Sequence, residues 1–171
     1  SRPARQTLSI LLLLSLLALL ITPALAQSTP SPALPSRLNP RETPTVTKTV
    51  GTTGADYATL ALAFAGINSG ALTGAIQLNV IDNTTEPAAG AILNASGSGS
   101  ASYTSVLIQP SGGAARTISG AATAGLPLID LNGADNVTID GLNTGGNSLT
   151  IANTTVSATS GTSTIRFIGG A

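Results

Sequence analysis

The pattern of apolar and polar positions changes several times along the chain. A nearly continuous apolar run over residues 8–21 gives way to a proline-punctuated stretch with no period, then to helical spacing, then to alternation. Over 58–68, Leu60, Phe64 and Ile67 recur at i, i+4 and i+7 with alanines between them, and Asp56 stands ready as an N-cap. This predicts one amphipathic helix over 58–68, stopped by Asn68, Gly70 and Gly74. Beyond it Ile76, Leu78 and Val80 alternate with Gln77 and Asn79, Val137 and Ile139 flank Thr138, and Leu149 and Ile151 flank Thr150. A period of two marks half-buried strands. Val46, Lys48 and Val50 predict a short extended segment ahead of the helix, with order beginning near Thr45.

An internal repeat organises the strands. Residues 107–120 align without gaps on residues 128–141, with an apolar pair, a turn glycine and then Thr-Ile-x-Gly in each. A unit of that size cannot close a core alone, whereas stacked copies bury one column. The expected fold is therefore all-β, a parallel β-helix or solenoid with a short N-terminal capping helix. An antiparallel sandwich or meander is the alternative, disfavoured by the matched spacing and the lone leading helix. The repeat predicts Ile108 beside Ile129 and Ile118 beside Ile139 in adjacent coils, with Leu131 and Val137 also in the core. By the same alignment Arg116 would point inward, so that strand is expected to begin at Thr117. Past Gly141, Thr164-Ile165 could repeat Thr138-Ile139, or Ile168 to Ala171 could repeat Leu131 to Ala134 at an offset of 37. The second is preferred, leaving 154–163 as a polar loop. The helix is expected to lie across the mouth of the coil, with Tyr57, Leu60, Phe64 and Ile67 as cap residues.

Two segments carry a resemblance. Val50-Gly51 followed by Gly54-Ala55-Asp56-Tyr57-Ala58-Thr59-Leu60 and an alanine-rich helix looks like the opening of the pectin-lyase-like, right-handed parallel β-helix superfamily, pectinesterases included. Asp135-Asn136-Val137-Thr138-Ile139-Asp140-Gly141-Leu142 is similar to the coil repeat of that superfamily. The resemblance covers roughly residues 46–171 and implies a right-handed coil.

The N-terminus reads as an address. Arg2 and Arg5 precede the apolar run, which Thr22, Pro23 and Ala24-Leu25-Ala26 follow. Fourteen residues are too few for a bilayer span of roughly 20, so residues 1–26 are expected to be a secretory signal peptide cleaved between Ala26 and Gln27, with Ala24 and Ala26 as the small residues recognised. Residues 27–45, with five prolines, are expected to be an extended linker. Residues 46–171 would then be the cap and first coils of a longer exported protein.

Composition narrows the chemistry. The 171 residues include no Cys and no His, which removes thiol and histidine nucleophiles and the usual zinc ligands. Seven basic residues balance seven acidic ones, and loss of Arg2 and Arg5 leaves a mature charge of −2. Nothing here suits nucleic acid. Asp130, Asp135 and Asp140 form the one acidic cluster and are weak candidates for a calcium site or an acid/base pair. Solvated carboxylates are the simpler reading, because the paired-Asp, Gln-Asp and Asp-Arg patterns of the superfamily's enzymes are missing. Asn132, Asn136, Asn143, Asn147 and Asn153 read as turn residues. Four Asn-x-Ser/Thr sequons, at Asn83, Asn94, Asn136 and Asn153, are expected from composition alone.

The functional expectation is an exported structural or adhesive scaffold, secreted or at a cell surface, with no catalytic site or cofactor in this segment. Its expected partner is a carbohydrate or cell-surface ligand, with no nucleic acid and no membrane after signal cleavage. The alternative is the non-catalytic start of a polysaccharide lyase, glycoside hydrolase or carbohydrate esterase.

Overall fold

The computed structural model describes residues 45–170. The signal peptide, its cleavage residues Ala24, Ala26 and Gln27, and nearly all of the linker lie outside them. The elements are β1 (Thr45–Val50), α1 (Leu60–Asn68), β2 (Thr73–Val80), β3 (Thr84–Thr85), β4 (Ala91–Asn94), β5 (Ser102–Pro110), β6 (Ala115–Gly120), β7 (Pro127–Asn132), β8 (Val137–Ile139), β9 (Ser148–Asn153) and β10 (Ser163–Ile168). They form three sheets, β1-β2-β5-β8, β3-β6-β9 and β4-β7-β10, in which every pairing is parallel. Each successive triplet of strands adds one rung to each sheet. The fold is a parallel β-solenoid of about four turns.

Alternation explains the column inside it. In the first sheet Val46, Ile76, Val106 and Val137 stand in register, as do Leu78, Ile108 and Ile139. In the third, Ala91, Ile129 and Ile165 line up beside Leu93, Leu131 and Phe167. Ile76, Leu78, Leu93, Ile108, Ile118 and Ile129 are fully buried. β-branched and leucine side chains suit this interior because the facing sheets leave a narrow space that alternate residues fill. Tight corners set a second constraint. A Cβ on Gly51 would lie 2.8 Å from Cβ of Asp82 on the next turn, so only glycine fits where β1 leaves its sheet.

The helix begins later than predicted and is capped by a different residue. Thr59 is the N-cap, its side chain accepting the N–H of Leu62 at 3.2 Å. Asp56 cannot serve, because residues 50 and 57 form a parallel bridge that keeps the backbone extended there. The Asp56 carboxylate binds Lys48 and Thr49 instead. Leu60, Ala63, Phe64 and Ile67 are buried, and Tyr57 packs on the same core. The helix lies chiefly against β4, at the edge of the third sheet. There Asn68 donates to the Ile92 carbonyl at 2.8 Å and accepts the Asn94 N–H at 3.0 Å, substituting for a missing strand.

The coil period also differs from the repeat. Ile108 lies beside Leu78 and Ile139 rather than Ile129, and Ile118 beside Thr84 and Ile151 rather than Ile139. The aligned repeat joins β5–β6 to β7–β8, one corner of the coil to another. A full turn spans 30 and 31 residues in the first sheet, as Ile76, Val106 and Val137 show. β6 begins at Ala115, not Thr117, and Arg116 is accommodated within it. Its Nε donates to the Ser111 carbonyl at 3.2 Å and its Nη1 lies 3.8 Å from Asp82, so the inward parity carries a partnered charge. Near the end, Phe167 pairs with Leu131 and Ile168 with Asn132, an offset of 36 rather than 37.

Candidate interaction surface

The outward positions of the first sheet make an uncharged strip that is polar except for Leu107. Thr47, Gln77, Leu107 and Thr138 share one row, and Thr49, Asn79 and Gln109 the next. Within it Gln77 Nε2 and Gln109 Nε2 both donate to Asn79 Oδ1, at 2.9 and 3.2 Å. The second sheet presents Thr117 beside Thr150 and Thr85 beside Ser119 and Ala152. These faces offer amide and hydroxyl groups at strand spacing, suited to hydrogen bonding with a neutral polar ligand.

The acidic residues are used differently. Glu86 is buried, and its carboxylate accepts the N–H groups of Leu60 and Ala61 and the Thr84 hydroxyl. Asp82 Oδ2 accepts the Thr53 N–H at 3.1 Å, and the same side chain faces Arg116. Asp56 accepts the N–H and hydroxyl of Thr49 and pairs with Lys48 at 2.8 Å; these contacts, Lys48 first, hold its carboxyl well below the usual carboxylate range. Lys48 is raised in return.

The cluster expected from Asp130, Asp135 and Asp140 is not assembled. Asp130, expected to be a solvated carboxylate, is 5% exposed, because Arg166 on the neighbouring strand covers it with contacts of 2.6 and 3.3 Å. Its hydrogen bonds to Asp130 raise the Arg166 guanidinium above its ordinary value. Asp140 follows β8 and accepts the N–H of Leu142 at 2.8 Å, while Asp135 stays exposed in the preceding turn. Among the described residues no group of three or more acidic side chains gathers to hold a metal.

The asparagines divide. Asn136 and Asn143 adopt positive φ, 56° and 50°, as turn residues do. Asn147, Asn153 and Asn132 instead tie one turn to the next: Asn147 accepts the Gly113 N–H at 2.9 Å, Asn153 accepts the Ala122 N–H at 3.4 Å, and Asn132 donates to Asn94 at 3.1 Å. Asn83 accepts the Thr117 N–H at 2.9 Å in the same manner. Local sequence carries no signal for such links, whose partners lie 31 to 38 residues away. In comparisons with known proteins, the chain matches no family model, no curated protein and no solved structure.

Proposed function

We propose that this chain is a structural or adhesive β-solenoid scaffold of an exported, cell-surface or extracellular protein. The observation that carries the reading is the use of its carboxylates. Five of the six acids among the described residues, Asp56, Asp82, Glu86, Asp130 and Asp140, are engaged in backbone or ion-pair contacts that hold strands, helix or turns together. A polysaccharide-cleaving site needs acids turned toward substrate with an acid/base partner. These acids serve the scaffold.

The signal-like N-terminus supports export, and the neutral amide and hydroxyl strip supports a carbohydrate or cell-surface ligand over a charged one. The opening Val50 to Leu60 motif and the Asp135 to Leu142 motif support kinship with the right-handed pectin-lyase-like proteins. Their positions fit that kinship: Tyr57 bridges Val50 where the chain leaves the first sheet, and Val137 to Ile139 form a rung of that sheet.

The test is production of the full chain in a bacterial host. The expected result is a product outside the cytoplasm beginning at Gln27, retained on insoluble cell-wall polysaccharide, and releasing no reducing sugar or unsaturated oligosaccharide from it. Cytoplasmic retention of the unprocessed chain overturns the export reading. Release of sugar overturns the scaffold reading.

A further inference from the structure

Gln77 and Asn79 on β2, with Leu107 and Gln109 on β5, form a block of four outward side chains in the middle of the first sheet. Gln77 stands beside Leu107 and Asn79 beside Gln109. β1 and β8 flank the two strands, so the block lies away from either edge of the sheet. All four residues are half-buried. Their chain neighbours Ile76, Leu78 and Ile108 are locked in the core, which fixes where the four side chains leave the sheet.

The three amides hold one another. Asn79 Oδ1 accepts from Gln77 Nε2 at 2.9 Å and from Gln109 Nε2 at 3.2 Å, which uses both of its lone pairs. Asn79 Nδ2 keeps two donor hydrogens, and each glutamine keeps a carbonyl oxygen and one hydrogen. None of these groups has a further partner among the described residues. A side-chain amide held in this way offers a donor and an acceptor side by side, the complement of adjacent hydroxyls, each of which can donate or accept. Leu107 adds an apolar patch of the kind that the C–H face of a sugar ring covers. An anionic ligand would find no cation in the block to offset its lost hydration, and a wholly apolar one would strand the amides. Charge and polarity both select a neutral, hydroxyl-rich ligand.

We propose that this block is a carbohydrate-binding site and that its ligand is a neutral polysaccharide lying across β2 and β5, with a sugar ring on Leu107 and its hydroxyls on Gln77, Asn79 and Gln109. The proposal rests on the scaffold reading above and adds to it the residues of the site and the class of sugar. Because the amides are positioned by each other before the ligand arrives, binding orders few side chains.

The test mixes the full chain, kept soluble in a sugar-free detergent, with insoluble cellulose, chitin and mannan as neutral probes and with a polygalacturonate gel as an acidic one. Depletion of the protein by at least one neutral probe is expected, unchanged by added sodium chloride. Asn79→Ala removes the shared acceptor and two donors, and should weaken that binding about tenfold. Gln109→Ala and Leu107→Thr, at half-buried positions, should each weaken it while the circular dichroism spectrum stays that of the parent chain. Leu62→Ala, on the exposed side of α1, should bind as the parent does. Parent binding that all three block variants retain would overturn the site and leave the scaffold reading standing. Depletion by polygalacturonate alone, or binding lost in salt, would overturn the neutral ligand. A chain that binds none of the four probes would overturn the proposal and the carbohydrate partner together.

Discussion

Glu86 accepts the backbone N–H of Leu60 at 3.0 Å, fastening the start of the one helix among the described residues to an acid on the next turn of the coil. The same carboxylate takes the Ala61 N–H at 2.8 Å. Two of the four donors that a helix N-terminus leaves unpaired are thus satisfied by a charge, which also favours the positive end of the helix dipole.

Glu86→Ala should therefore cost about 2 to 3 kcal/mol, because buried donors lose a charged partner that water cannot replace. Glu86→Gln, which keeps one acceptor oxygen, should cost less. Denaturant midpoints of the two variants check the order; equal losses would mean that packing, not capping, sets the role of this side chain.

Phe64 is fully buried on the face of α1 that joins the core. Phe64→Ala should cost about 3 to 5 kcal/mol, as other large-to-small core changes do, and should promote association through the uncovered edge of β4. Leu62→Ala, on the exposed side of the same helix, should leave the midpoint nearly unchanged. Urea unfolding followed by light scattering measures both effects.

Acid should weaken the β1 corner through Asp56. Lys48 and Thr49 lower its folded pKa below the unfolded value, so its contribution is present above about pH 4 and fades as the pH falls further. Asp56→Asn removes that dependence. Melting temperature followed from pH 6 to pH 2 should fall less steeply in the variant than in the parent chain.

Base should act through Tyr103. Burial raises its phenol pKa, and the hydroxyl donates to the Asn94 carbonyl at 2.7 Å. The neutral form is favoured in the fold, so stability holds below about pH 10 and declines above it as the unfolded chain ionises. Tyr103→Phe should cost about 1 kcal/mol at neutral pH through the lost hydrogen bond and should flatten the alkaline decline in melting temperature.

The helix and several strands were legible in the sequence because burial on one face leaves a period that local composition does not hide, whereas the short β3 and β4 carry too few residues to show one. Ile76 to Val80 and Leu149 to Ile151 alternate as their sheets require. The coil period was not legible, since strand, turn and strand recur at successive corners and the match between residues 107–120 and 128–141 follows corners rather than turns. True neighbours share only a place in the column: Thr84 stands beside Ile118, and Ala91 beside Ile129. Glu86 was missed for a related reason. Capping rules look within a few residues, whereas this acid lies 26 positions beyond the helix start. The burial of Asp130 depends on Arg166, outside the repeat that drew attention to the acid.

That pair supports the most discriminating test of whether Asp130 is structural. Its side chain is 7% exposed and that of Arg166 31%, so the acid is the partner with more to lose when the contact breaks. Arg166→Ala would leave a nearly buried carboxylate facing a gap that water only partly fills, and should lower stability measurably, though by less than the loss of one partner of a fully buried pair, because Arg166 is partly solvated. Asp130→Asn leaves a neutral amide in the same place and a solvated guanidinium beside it, and should cost less. Combined with Arg166→Ala, it should recover part of the loss, since the stranded charge is gone. A double-mutant cycle read by denaturant unfolding measures this coupling; strictly additive losses would show that the two side chains stabilise their strands independently.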